Sequence, residues 1–124
     1  MKKQYLLFIA LIFGVCFCSC TYDEFVPEEL PPVDTTKVYS FAADIQPIFT
    51  DNCTGCHSGS IAFSLKEGDS YGNIVPDLVN LNNPEESDIY SFPQAGTEHS
   101  STNNYEPAQA QTVLQWIKQG AKNN

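Results

Sequence analysis

The chain has 124 residues, a formal net charge of −9 and 42% hydrophobic residues, some of which belong to an N-terminal targeting segment. This length accommodates one small domain. The excess of acidic residues disfavours nucleic acid as a partner and favours proteins with basic patches, although the same charge also serves solubility alone.

The N-terminus has the pattern of a secretory signal that ends in a lipidation site. Two lysines precede an apolar run from Tyr5 to Phe17, which is shorter than the roughly 20 apolar residues that span a bilayer. The following Cys18-Ser19-Cys20 resembles a lipobox, whose last cysteine becomes the lipidated first residue of the mature chain. We therefore predict a lipoprotein signal peptide over residues 1–19 and lipidation of Cys20, with ordinary signal cleavage as the alternative.

Residues 20–37 predict an acidic, proline-containing tether with almost no apolar content to bury. In a polyproline-like extension such a segment would reach about 50 Å from the membrane. The acidic residues behind Cys20 also resemble export signals of surface-displayed lipoproteins in some Gram-negative bacteria. The expected location is the outer membrane or cell envelope, where the chain would be lipid-anchored and face the periplasm or the cell surface.

The folded domain is expected over residues 38–124 and begins with an amphipathic helix. Helical spacing is shown by the apolar residues Phe41, Ile45, Ile48 and Phe49. Asp44 is the expected N-cap. A start at Ile45 would put Pro47 in the first turn, where proline is tolerated, and the helix would run directly into Cys53.

The middle of the domain, from Ser58 to Gly96, is rich in glycine and proline and is expected to be mostly loop. One short helix is expected around Pro84 to Tyr90. A longer helix is expected near the C-terminus, where a single apolar stripe is formed by Ala110, Val113, Leu114, Ile117 and Ala121. Gly120 is the expected helix breaker at that end.

Cys53-Thr54-Gly55-Cys56-His57 has the C-x-x-C-H pattern of a covalent haem attachment site. Two thiols at this spacing can add to the two vinyl groups along one edge of the porphyrin, and the following histidine can reach the iron. Its second ring nitrogen would then donate to a backbone carbonyl. A zinc site, a thiol redox pair and inert cysteines are the alternatives. Zinc would need four protein ligands, and a redox pair would need a βαβ context.

Together these parts resemble a monohaem c-type cytochrome, namely a class I-like cytochrome c domain in a bacterial envelope lipoprotein. The similarity covers roughly Tyr39 to Lys122. It rests on a helix leading into C-x-x-C-H, a loop-rich middle, and a last helix that ends Trp116-Ile117-Lys118-Gln119-Gly120-Ala121. The resemblance implies a small, loop-rich, all-α fold whose N- and C-terminal helices cross over one covalently bound haem c. Cys53, Cys56 and His57 would bind that haem, with His57 as the proximal axial iron ligand.

The chain departs from this family at the distal ligand of the iron. Family members usually place a methionine before the last helix, whereas the only methionine here is Met1. His99 lies in about the right region and is the candidate distal ligand. Tyr105 or another group, or no ligand at all, are the alternatives. The residues expected to pack around the haem are Ile48, Phe49, Leu65, Tyr90, Leu114 and Trp116.

The expected function is one-electron transfer at the bacterial cell envelope by a protein that is not an enzyme. Its expected partners are redox proteins with a basic docking patch and, through the lipid anchor, the membrane; no nucleic acid is expected. One alternative is a five-coordinate haem module that binds or senses a small ligand. Another is a structural haem domain of an envelope assembly.

Overall fold

A computed structural model describes residues 32–99 and 104–124. The predicted signal peptide, the lipidation site at Cys20 and most of the predicted tether lie outside the described residues. Within these ranges the chain forms helices and loops and no β-strand, which confirms the all-α expectation at this coarse level. None of the helices in the described ranges has the length and apolar character needed to cross a membrane.

The first helix begins earlier than the sequence predicted. A π-helical turn over Phe41–Ile45 leads directly into an α-helix over Gln46–Asn52, which we call α1. The hydroxyl of Ser40 accepts a hydrogen bond from the N–H of Ala43 at 3.3 Å, and the Asp44 carboxylate accepts one from the N–H of Ser40 at 2.8 Å. The prediction that Asp44 is the N-cap was therefore wrong, because Asp44 lies inside the helical turn and bonds back to the true cap.

Pro47 lies in the first turn of α1, as predicted, directly after a π-helical turn. In this turn the N–H of Gln46 donates to the carbonyl of Phe41, five residues earlier. Proline has no N–H, and its ring crowds the preceding turn of a regular α-helix. The wider turn stands directly before that position, and the helix then ends at Asn52. As predicted, Cys53 is the first residue after it.

The middle of the domain contains three short helical segments connected by loops. They are an α-helix over Ser70–Ile74 (α2), a 3₁₀ turn over Pro84–Glu86 and an α-helix over Asp88–Ser91 (α3). The sequence did not predict α2. The single helix expected around Pro84 to Tyr90 is divided at Ser87, which is extended and accepts a hydrogen bond from the N–H of Asn80 at 2.9 Å.

The last helix, α4, spans Pro107–Lys118. Four members of its predicted apolar stripe lie on this helix and are buried, namely Ala110, Val113, Leu114 and Ile117. Ala121 is buried too, but it lies after the end of the helix, with a φ of 48°. The helix ends as expected near Gly120, whose φ of 97° lies in the left-handed region that favours glycine. The Lys118 ammonium at its end lies 2.7 Å from the Glu85 carboxylate, which ties α4 to the 3₁₀ turn.

Aromatic packing joins the two ends of the domain. Trp116 on α4 is 1% exposed, and its ring centre lies 5.4 Å from that of Phe41 and 6.5 Å from that of Tyr71. Its indole N–H donates to the carbonyl of Lys122 at 2.9 Å. Nearby, the N–H of Ala42 donates to the carbonyl of Asn124 at 3.0 Å. The core of the domain is therefore built where its first and last helices meet.

We expect Trp116→Ala to lower the free energy of unfolding by about 3–5 kcal/mol, because it removes a buried aromatic side chain and leaves a cavity. Trp116→Phe keeps a six-membered ring but loses the rest of the indole and the hydrogen bond to Lys122, so its cost should be smaller, about 1–3 kcal/mol. Urea denaturation followed by circular dichroism measures both values. An unfolding midpoint of Trp116→Ala equal to that of the parent would contradict the role of this packing.

Candidate functional site

A cavity of about 370 Å³ opens beside α1, and this volume lies in the range typical of small-molecule and cofactor sites. Its walls are mainly apolar and aromatic and carry a few polar groups. They are formed by Cys53, His57, Phe63, Leu65, Leu78, Asp88, Ile89, Phe92, Pro93, His99 and Tyr105. The cavity therefore brings together three of the four residues predicted to bind or ligate a haem, namely Cys53, His57 and His99.

The C-x-x-C-H segment forms tight turns directly after α1. The N–H groups of Cys56 and His57 both donate to the carbonyl of Cys53, at 3.1 and 2.8 Å. Cys53 is buried and lines the cavity, whereas Cys56 is exposed. Burial raises the pKa of the Cys53 thiol to about 11, so this thiol stays protonated at neutral pH.

The His57 ring has one nitrogen facing the backbone. Its Nδ1 lies 3.3 Å from the carbonyl oxygen of Phe63. A carbonyl oxygen can only accept, so this contact is a hydrogen bond in the tautomer that carries its proton on Nδ1. In that tautomer Nε2 is left as a free acceptor, which is the form in which neutral imidazole binds a metal.

His99 lies opposite His57. The two ring centres are 6.1 Å apart and the ring planes differ by 13°. An imidazole nitrogen binds a metal at about 2.0–2.1 Å, so one metal ion between two histidines leaves the ring centres roughly 6 Å apart. The His99 Nδ1 atom is buried and has no hydrogen-bond partner among the described residues. The separation of the two ring centres therefore matches the one expected for a metal ion held between two imidazoles.

A threonine hydroxyl holds the loop that carries His99. Thr97 Oγ1 lies 2.6 Å from the carbonyl oxygen of Phe92 and 2.9 Å from that of Gln94, which share its single proton, and it accepts a hydrogen bond from the N–H of His99 at 3.3 Å. The Phe92 ring also packs edge-on against the His99 ring, with the ring centres 5.6 Å apart. The exposed side chain of Thr97 therefore connects the backbone of His99 to the start of this loop.

Tyr105 also lines the cavity, but its hydroxyl is already engaged. It donates to the carbonyl of Ile89 at 2.8 Å. Burial, and to a lesser degree the nearby Cys53, raise the pKa of Tyr105 well above its usual value. A tyrosine binds iron as the phenolate, which both effects disfavour. Among the two candidate ligands, the geometry favours His99.

Most residues predicted to pack around the cofactor lie elsewhere. Of the six, only Leu65 lines the cavity; Ile48, Phe49, Leu114 and Trp116 are buried and Tyr90 is half-buried outside its walls. Trp116 therefore packs in the aromatic core and not against the cavity. The sequence missed the apolar walls formed by Phe63, Leu78, Ile89, Phe92 and Pro93. They come from loops and very short helices, where no periodicity marks the buried side.

A zinc site, one of the alternatives to haem, would require several metal-binding side chains close together. Within residues 32–99 and 104–124, no group of three or more His, Cys, Asp or Glu side chains could hold a metal ion. A closed zinc site needs four such ligands. The described residues therefore do not form the ligand set that this alternative requires.

In protein made without haem attachment, we expect iodoacetamide to alkylate Cys56 well before Cys53 at about pH 8. Thiolate is the reactive form, and the pKa of about 11 leaves Cys53 mostly as thiol. Labelling of Cys53 should rise about tenfold for each pH unit below that pKa, measured by tandem mass spectrometry. Urea-unfolded protein is the control, in which both cysteines should react alike. Equal rates in the folded protein would contradict the burial of Cys53.

Comparison with known proteins adds no relative from which the site could be interpreted. No protein-family model matches the chain, and no curated protein or solved structure matches it. The features that characterise this site are therefore the C-x-x-C-H segment, the cavity beside it and the pair formed by His57 and His99.

Proposed function

We propose that this chain is a monohaem c-type cytochrome that transfers single electrons at the bacterial cell envelope. The observation that carries the proposal is the histidine of the C-x-x-C-H segment, which lies in a cavity wall with a second histidine 6.1 Å away between ring centres. On this proposal the fold is class I-like, with its first and last helices crossing over the haem. The protein is an electron carrier and not an enzyme.

Each residue of the site has a distinct part in this proposal. Cys53 and Cys56 would hold the haem through thioether bonds, and His57 and His99 would be the axial ligands. The Phe63 carbonyl keeps the proton of His57 on Nδ1, so that Nε2 remains available to bind. The mainly apolar walls would pack against the porphyrin ring. Bound haem supplies the one-electron Fe(III)/Fe(II) couple.

The charge distribution around the cavity supports a partner with a basic docking patch. Among the described residues no lysine or arginine lines the cavity, whereas Asp88 does. Lys37 and Lys118, elsewhere on the surface, are paired with Asp44 and Glu85. Such a surface attracts a basic partner, and the attraction weakens with salt. Lipidation of Cys20 would confine the domain to the membrane surface, where it would meet other envelope redox proteins.

We expect His99→Ala to convert the ferric protein from low spin to high spin, because it removes one of two strong-field imidazole ligands. Ultraviolet–visible and low-temperature EPR spectra of the haem-matured protein measure this change. Glu98→Ala is the matched control, since Glu98 is the exposed neighbour of His99 and should leave the spectrum unchanged.

An already high-spin parent that His99→Ala leaves unchanged would contradict the histidine pair. That result would instead favour a five-coordinate module that binds or senses a small ligand. A low-spin parent that stays low spin in His99→Ala would show that another group is the distal ligand.

We also expect Thr97→Val to increase the fraction of molecules in which His99 does not bind the iron. Thr97→Ser keeps the hydroxyl and should behave as the parent does. Loss of one hydrogen bond of this kind costs about 1 kcal/mol, which is roughly a fivefold shift in an equilibrium. The high-spin fraction and the affinity for added azide should therefore both rise in Thr97→Val by a few-fold. Identical EPR spectra of the two variants would contradict this role of Thr97.

A further inference from the structure

Three consecutive backbone carbonyls next to His57 each face a side-chain nitrogen. The carbonyl of Phe63 lies 3.3 Å from His57 Nδ1. The carbonyl of Ser64 accepts a hydrogen bond from Asn73 Nδ2 at 2.8 Å, and that of Leu65 accepts one from Gln46 Nε2 at 3.0 Å. The first of these contacts involves the candidate proximal ligand, and the other two hold the adjoining residues in place.

Gln46, which donates to the Leu65 carbonyl, forms a buried polar pair with Ser70. Gln46 is 6% exposed and Ser70 is fully buried, and the Ser70 hydroxyl donates to Gln46 Oε1. This bond fixes which end of the Gln46 amide points at Leu65, because Oε1 is turned towards Ser70. Burying two polar side chains in a small domain is costly unless both are paired. Here both are paired, and the remaining amide donors are directed at Leu65 and at Thr50.

Two backbone hydrogen bonds connect residues within the loop over residues 57–65. The N–H of Leu65 donates to the carbonyl of His57 at 2.8 Å, and the N–H of Gly59 donates to that of Ala62 at 3.1 Å. A displacement of Leu65 would therefore move both ends of the loop. Gln46 lies on α1 and Asn73 on α2, so the loop is fastened to two separate helices.

We propose that Gln46 and Asn73 are positioning residues that keep the Phe63 carbonyl against His57 Nδ1 and thereby set the donor strength of the His57 ring. This inference rests on the proposed function, since it concerns His57 as an iron ligand. Gln46 acts through Leu65 and Asn73 acts through Ser64. Neither residue lines the cavity.

The contact between His57 and the Phe63 carbonyl is expected to lower the reduction potential. An imidazole that donates its Nδ1 proton to a carbonyl is a more basic ligand through Nε2. A more basic ligand stabilises Fe(III) relative to Fe(II) and lowers the reduction potential. Loosening the loop should weaken the contact with Phe63, and the potential should rise.

The test compares the midpoint potentials of the haem-matured parent, Gln46→Met and Asn73→Leu. Both substitutions keep roughly the size of the side chain and remove its donor. Each is expected to shift the reduction equilibrium towards Fe(II) by up to about tenfold, which is about 59 mV for a one-electron couple. In proton NMR of the reduced protein, the His57 ring N–H should exchange with solvent faster in both variants than in the parent.

A control separates positioning from general loss of stability. Ile117→Val removes one methylene from the buried face of α4 at a residue that does not line the cavity, and it should lower stability without moving the potential. Asn73 is exposed, so Asn73→Leu decides the question if Gln46→Met does not fold.

The possible outcomes are distinguishable. A higher potential together with faster ring N–H exchange in Asn73→Leu, but not in Ile117→Val, would support the positioning role. A haem-bearing parent whose potential equals that of every variant would overturn this inference and leave the proposed function intact. A parent that attaches no haem at Cys53 and Cys56 would overturn both.

Discussion

Phe41 in the first helical turn and Trp116 in the last helix meet with their ring centres 5.4 Å apart, and the other elements depend on this contact. It joins residues from opposite ends of the domain, so the chain between them must form a closed path of loops and short helices. Tyr71, near the middle of that path, packs edge-on against Phe41 with the ring centres 5.1 Å apart. Once these three rings are together, the remaining chain can surround a cavity without a continuous helical scaffold.

The aromatic core and the cavity lie next to each other and share several residues. Cys53, Leu65, Ile89 and Tyr105 belong to both, since they pack in the core cluster and also line the cavity. A domain of this size buries a limited apolar area and commonly needs a disulfide, metal or cofactor to supplement its core. On the proposed function, the cofactor completes the packing and performs the chemistry.

The sequence predicts the elements whose residues repeat with helical spacing. The buried stripe of α4 and the helix leading into Cys53 could be predicted because a helix with one buried side leaves this pattern. The start of the first helix could not, because it lies in a π-helical turn that spacing does not indicate, with Ser40 accepting from Ala43 and Asp44 accepting from Ser40.

The sequence predicted the residues that would bind a cofactor better than the residues that form the cavity walls. The C-x-x-C-H pattern identifies Cys53 and His57 by residue type and spacing alone. His99 was proposed from its region of the chain, but its orientation towards His57 follows from loop contacts such as those of Thr97. The contact between Asn73 and Ser64 likewise joins a side chain to a backbone carbonyl, and nothing in either residue's identity predicts it.

The two walls that carry the histidines come from separate loops, over residues 57–65 and 92–99, and no hydrogen bond of the described residues joins one loop to the other. A change in one loop therefore breaks no hydrogen bond to the other. Over evolutionary time, such a chain can acquire a different group opposite His57 while its attachment segment stays the same. For protein engineering, the loop over residues 92–99 is accordingly the segment in which new distal groups can be introduced one at a time.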